Sequence, residues 1–177
     1  LRLEPCEEGW WFDRTDLSES LPTRVSVRNV WTTGQVVSNI VLRSGAPQNY
    51  VRMVEHIVPL RLGLGLDHCI VRIDSGDPPL FDRGSRDLVD AVESAGLAEN
   101  DRPPVYVTVR EKVAVASPHG GFLVFARCTG PRPELRVDCA VDFPNAAGRQ
   151  RIRFPVGPDL FREAALARTN TTAAKRL

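Results

Sequence analysis

Apolar and polar residues alternate from Leu1 to Glu4, and after Pro5-Cys6-Glu7-Glu8-Gly9 the run Trp10-Trp11-Phe12 opens a second stretch. Successive side chains on a strand point to opposite faces, so the pattern predicts two strands with the adjacent tryptophans facing opposite ways. Val25, Val27 and Val30 continue the strand pattern, and Val36 to Leu42 predicts another strand that ends at the breaker Ser44-Gly45-Ala46-Pro47. From Gln48 the period lengthens. Val51, Val54, Ile57 and Val58 fall at helical spacing and predict an amphipathic helix running toward Gly63-Leu64-Gly65. Pro59 interrupts it, because proline lacks the N–H and its ring clashes with the carbonyl four residues back, so a kink or an early end is expected there. Cys69 to Ile73 reads as a buried strand and Asp77-Pro78-Pro79 as a turn. Leu88, Val89, Ala91 and Val92 give a second helix that stops near Gly96.

The polar, doubly proline-broken stretch Asn100-Asp101-Arg102-Pro103-Pro104 is the best linker in the chain. Beyond it, Val105 to Val109, Val113 to Ala116, Phe122 to Ala126, Leu135 to Val141 and Ile152 to Phe154 read as the strands of an antiparallel sheet. Pro158-Asp159 then opens a helix with Leu160, Phe161, Ala164 and Ala165 on one stripe. Both halves run from strands to a helix. The expected fold class is α+β, with two similar layered sheet-plus-helix domains at 1–100 and 105–177 joined by a linker at 101–104.

Composition narrows the chemistry. The 177 residues are 42% hydrophobic and 25% charged, ordinary for a globular protein. The 23 basic and 22 acidic residues leave a net charge of +1, without the basic excess of a nucleic-acid surface. Cys6, Cys69, Cys128 and Cys139 are far apart and form no C-x-x-C pair, which argues against a zinc ribbon or a disulfide framework and for a reducing, cytoplasmic compartment. Every apolar run is shorter than the roughly 20 residues that span a bilayer, so no transmembrane segment is expected. The chain opens on Leu1 in what reads as the middle of a strand, and residues before it are expected.

The histidines are His56, His68 and His119. Glu55 and His56 are adjacent in the first expected helix and point about 100° apart, so they do not pair with each other. They can flank one object between them: a metal-bound water fits, with the imidazole as ligand and the carboxylate as proton acceptor. A satisfied or solvated histidine is the plainer reading of such a dipeptide. Cys69 reads as a core-facing strand residue, and His68 and His119 as structural or solvated. Gly63-x-Gly65 follows no strand and is not a dinucleotide loop.

Several segments, in order and spacing, decide between these readings. They are Phe12-Asp13-Arg14-Thr15-Asp16-Leu17, Ser26-Val27-Arg28, Met53-Val54-Glu55-His56-Ile57, Gly63-Leu64-Gly65-Leu66-Asp67 with Ile70-Val71, and Pro79-Leu80-Phe81-Asp82 with Ser94-Ala95-Gly96-Leu97. Downstream come Asp142-Phe143-Pro144 with Gly148-Arg149-Gln150, and Phe161-Arg162-Glu163 leading to Ala167-Arg168-Thr169. Together they resemble the N-terminal portion of the UDP-3-O-acyl-N-acetylglucosamine deacetylase (LpxC) family over nearly the whole chain.

The resemblance implies an LpxC-like fold whose second domain is incomplete here, and a zinc-dependent hydrolase. It would release acetate from a UDP-linked, acylated glucosamine in lipid A biosynthesis. It puts the general base on Glu55, a Zn2+ ligand on His56, an oxyanion-stabilising hydroxyl on Thr169, and the lining of the substrate passage on Trp31, Thr32 and Thr33. The departures are specific. Asn170 follows Ala-Arg-Thr where the family has phenylalanine, and the family's later His-x-x-x-Asp zinc ligands and late histidine have no counterpart. A missing C-terminal half or a second chain would have to supply them. The rival readings are a non-catalytic LpxC-like binding or partner module, and a deacetylase acting on another amide.

Overall fold

In the β1 strand (Arg2–Glu4) and the β2 strand (Trp10–Arg14) the expected alternation is present: Trp10, Phe12 and Arg14 are buried, and Trp11 and Asp13 are half-buried. The computed structural model describes residues 1–33, 40–79, 81–103, 105–118, 120–144 and 148–167. After β2 come β3 (Thr23–Arg24), a 3-10 turn at Val27–Asn29, β4 (Val30–Thr32), β5 (Ile40–Arg43), β6 (Tyr50–Arg52), a second 3-10 turn at Val54–His56, α1 (Leu60–Leu64), β7 (Cys69–Ile73) and α2 (Arg86–Ala95). The order of the first sheet is β1-β7-β2-β3, with β7 antiparallel to β1 and parallel to β2. A second sheet, β4-β5-β6, is wholly antiparallel.

Three expectations change here. The single strand read over Val25, Val27 and Val30 is broken by the turn at Val27–Asn29, where the Ser26 hydroxyl accepts from the Arg28 N–H at 3.3 Å and caps the turn. The helix expected from Gln48 begins as a strand instead, because Tyr50 to Arg52 pair with Val41 to Arg43. Pro59 does not kink or end a helix as expected; it stands at the start of one. The chain makes one 3-10 turn before it, and α1 starts just after, with the Gly63 N–H donating to the Pro59 carbonyl at 2.8 Å. Proline costs nothing in such a first turn, where its missing N–H has no intrahelical partner.

The third helix, α3, spans Pro158–Ala164. By its contacts the chain forms one compact unit from Leu1–Leu97 together with the segment from Gly157, and another from Ala98–Val156. The sequence reading put this helix with the later segment, whereas it packs on α1 of the first unit. A side chain at Gly63 would collide with the Phe161 ring, so the two helices approach closely only because residue 63 has none. The first unit's core joins Trp10, Phe12, Val71 and Ile73 of the first sheet, Leu42 and Val51 of the second, Ile57, Leu60 and Leu64 around α1, and Leu88, Val89 and Val92 of α2. Gly96, at φ 79°, closes α2 by donating to the carbonyls of Val92 and Glu93, as the sequence suggested.

The second unit holds two separate hairpins: β8 (Val113–Ala116) with β9 (Phe122–Phe125), and β10 (Arg136–Asp142) with β11 (Arg149–Pro155). The expected single sheet is therefore two pairs among the described residues. Val105 to Val109 form no strand, and all but the half-buried Val109 are exposed, Val107 at 94%. Register makes β10–β11 two-sided. Val137, Cys139, Phe154 and Ile152 share one face, while Asp138, Arg151 and Arg153 form an ion-pair cluster on the other.

Candidate functional site

Glu55 and His56 sit on the 3-10 turn between β6 and α1. Its flanks fix it: Val54 and Ile57 are buried, and the Ile57 and Val58 N–H groups both donate to the Val54 carbonyl, at 3.0 and 2.9 Å. Three residues per turn separate adjacent side chains by about 120°. Glu55 is exposed and His56 half-buried. From the far side, the Ser85 hydroxyl at the start of α2 donates to the His56 carbonyl at 2.9 Å, tying the turn to that helix. Met53 enters the turn in the left-handed conformation, φ 49° and ψ 35°, the one described non-glycine residue with positive φ.

Trp31, Thr32 and Thr33 lie together on β4 and its end, lining a cavity of about 260 Å³ with Val41, Arg43, Pro47, Tyr50 and Arg52. The ladder explains most of this set. Trp31 pairs with Val41 and Val41 with Arg52, while Arg43 pairs with Tyr50, so these side chains share the outer face of β4–β6; Leu42 and Val51 turn inward to the core. The Arg43 guanidinium lies over the Trp31 ring, 3.9 Å from its centroid. Arg52 Nε donates to Asp77 Oδ1 at 2.6 Å, and that guanidinium holds the Asp77 carboxyl below its ordinary value. Beneath Tyr50, the buried Arg14 donates to the Tyr50 carbonyl at 2.8 Å and makes a two-pronged pair with Asp16. Sequence reading named none of Arg43, Tyr50 or Arg52. Their signal was the alternation of β5 and β6, which becomes a shared face only once the register is known.

The remaining candidates separate. His68 Nδ1 accepts from the Gly9 N–H at 2.8 Å, so its lone pair is committed to the backbone. Burial pushes the Cys69 thiol up to about 11, and it stays protonated among core residues. Thr169 and His119 lie outside the described residues.

The family model described as UDP-3-O-acyl N-acetylglycosamine deacetylase, LpxC, matches residues 1–175. The chain belongs to the LpxC family. Among curated LpxC relatives, the UDP-3-O-acyl-N-acetylglucosamine deacetylase of Bdellovibrio bacteriovorus is 30% identical over 95% of this chain and 53% of its own length. Those of Teredinibacter turnerae and Hahella chejuensis are 27% and 30% identical, over 83% and 65% of this chain and 50% and 36% of theirs. The chain thus spans about half the length, or less, of the curated relatives it matches. The described residues are of mixed α+β fold, and the deacetylase names are those of the longer relatives. No helix among the described residues is long and apolar enough to cross a membrane.

Zinc sites need at least three protein donors. Among the described residues no group of three or more His, Cys, Asp or Glu side chains could hold a metal ion. The turn at Val54–His56 presents one imidazole and a neighbouring carboxylate.

Proposed function

We propose that this chain supplies the Glu-His portion of a zinc-dependent deacetylase that acts in the cytoplasm. Its substrate is a UDP-linked, 3-O-acylated N-acetylglucosamine, and the reaction releases acetate in lipid A biosynthesis. One observation carries the reading. Glu55 and His56 stand on a turn pinned by Val54, Ile57 and Ser85, inside an LpxC match that runs over residues 1–175. His56 is the zinc ligand this chain contributes, and the other ligands come from a further stretch of polypeptide or a second chain. Zinc, when bound, polarises an amide carbonyl and acidifies a bound water. Glu55 is exposed and so open to that water, whose proton it would accept. Thr169 is the hydroxyl beside the developing oxyanion. Trp31, Thr32 and Thr33 line the passage through which the substrate reaches the turn, consistent with their shared cavity.

The test is Glu55→Gln in the zinc-holding protein. Zinc content should be unchanged and acetate release should fall by about 10²-fold or more, the usual weight of a general base. Near-normal turnover would remove Glu55 from the mechanism. Binding of the UDP-sugar with no release by the unaltered protein would favour the non-catalytic module, and release from other N-acetyl sugars alone would move the substrate.

A further inference from the structure

The cavity on the outer face of β4–β6 has a charge that the deacetylase chemistry at Glu55 and His56 does not use. Two of its lining residues are arginines and none is a carboxylate. The two arginines are not equivalent. Arg52 turns its Nε edge to Asp77 at 2.6 Å, so its charge is largely answered. Arg43 has no acidic partner among the described residues; its contact is the face of Trp31, 3.9 Å away. Stacking on a ring occupies the flat faces of a guanidinium and leaves the N–H groups, which lie in its plane, directed outward. It also holds the group still, which removes much of the side-chain entropy cost of a later hydrogen bond. Val41, Pro47 and Tyr50 make the rest of the wall, so the space suits an anion carried on an organic body better than a bare hydrated ion.

We propose that this cavity binds a phosphate ester through the fork of Arg43, with Trp31 as the platform that positions the guanidinium. Phosphate matches that fork with two parallel N–H···O bonds, which an ammonium cannot reproduce. That the ester is the diphosphate of the deacetylase's own nucleotide-sugar rests on the function proposed above; recognition of phosphate by Arg43 does not.

The experiment is a calorimetric titration of the chain with UDP, UMP, inorganic phosphate and uridine, repeated with Arg43→Gln and Arg43→Lys after circular dichroism has confirmed the native spectrum. UDP should bind, uridine should not, and Arg43→Gln should weaken UDP at least about 10-fold, the scale of one lost charge-assisted pair. Arg43→Lys keeps the charge without the fork and should fall between, so the result does not depend on Arg43→Gln folding. Raised salt should weaken UDP binding further. UDP affinity unchanged in both variants, or no UDP binding by the unaltered chain, would overturn the proposal. Inorganic phosphate bound as tightly as UDP would keep Arg43 as an anion site and overturn its assignment to the nucleotide-sugar. The titration needs neither zinc nor turnover. Failure of the deacetylase reading would appear in acetate release and leave this result standing.

Discussion

Met53 carries the least expected conformation among the described residues, one residue before the turn that presents Glu55 and His56. A side chain in the left-handed region brings Cβ toward the following carbonyl, at a cost of roughly 1–2 kcal/mol, and no side-chain bond from Met53 caps the turn in return. A β-branched residue should sit there worse, and glycine with no conformational penalty. Met53→Val should therefore lower stability by about 1–2 kcal/mol in urea unfolding, whereas Met53→Gly should be neutral or slightly stabilising. Equal stability of the two variants would contradict the left-handed assignment. No sequence pattern announced this position, because left-handed residues are read from Gly, Asn or Asp and methionine is none of these. The dipeptide itself was legible only through the family's spacing. Its support comes from groups distant in sequence, above all Ser85, 29 residues on.

At the scale of elements, the strands with one buried face were readable from alternation alone: β2 and β7 lie where the pattern put them. The stretch from Gln48 misled for a physical reason. Val51, Val54, Ile57 and Val58 fit a helical period and are all at least partly buried, but they reach the core from a strand, a 3-10 turn and a loop before Pro59. Pairing of Tyr50 to Arg52 with β5 outweighs helix formation there, and that partner is not visible in a local window. The pocket face of β4–β6 escaped for the same reason. Helix α3 is tied to α1 through one small residue. Gly63→Ala forces the Phe161 ring to move and should cost about 1–3 kcal/mol by overpacking. Phe161→Leu in the same chain should recover part of that loss; additive costs in the double variant would show that the two do not meet. In β10–β11, Arg151 beside Asp138 holds its carboxyl down to about 2 from an ordinary 3.8. The ion pair's contribution is then present above pH 3.8 and is lost as the pH falls through 2. A carboxyl titration followed by NMR should show Asp138 protonating near pH 2, and moving part of the way back toward its ordinary value in Arg151→Gln, where Arg153 still pairs with it; an unchanged midpoint in that variant would contradict the pairing with Arg151.

Across the whole molecule, burial is uneven. Every buried residue described lies in the first unit, while the hairpins of the second leave Phe122 81%, Val115 59% and Ile152 54% exposed. An amphipathic hairpin with an uncovered apolar face gains little from the hydrophobic effect, and isolated two-stranded pairs are marginal in water. The same unevenness marks the chemistry, since one half-buried imidazole and one carboxylate are less than a catalytic zinc site takes. On the function proposed above, this chain contributes one zinc ligand and the base to a deacetylase completed by further polypeptide. The most direct test is metal content after dialysis of the 177-residue chain, measured with its acetate release from the UDP-linked substrate. Far less than one zinc per chain and no release are expected. One tightly held zinc with turnover would contradict that reading, and His68, His119 and Cys69 would then be the ligands to test.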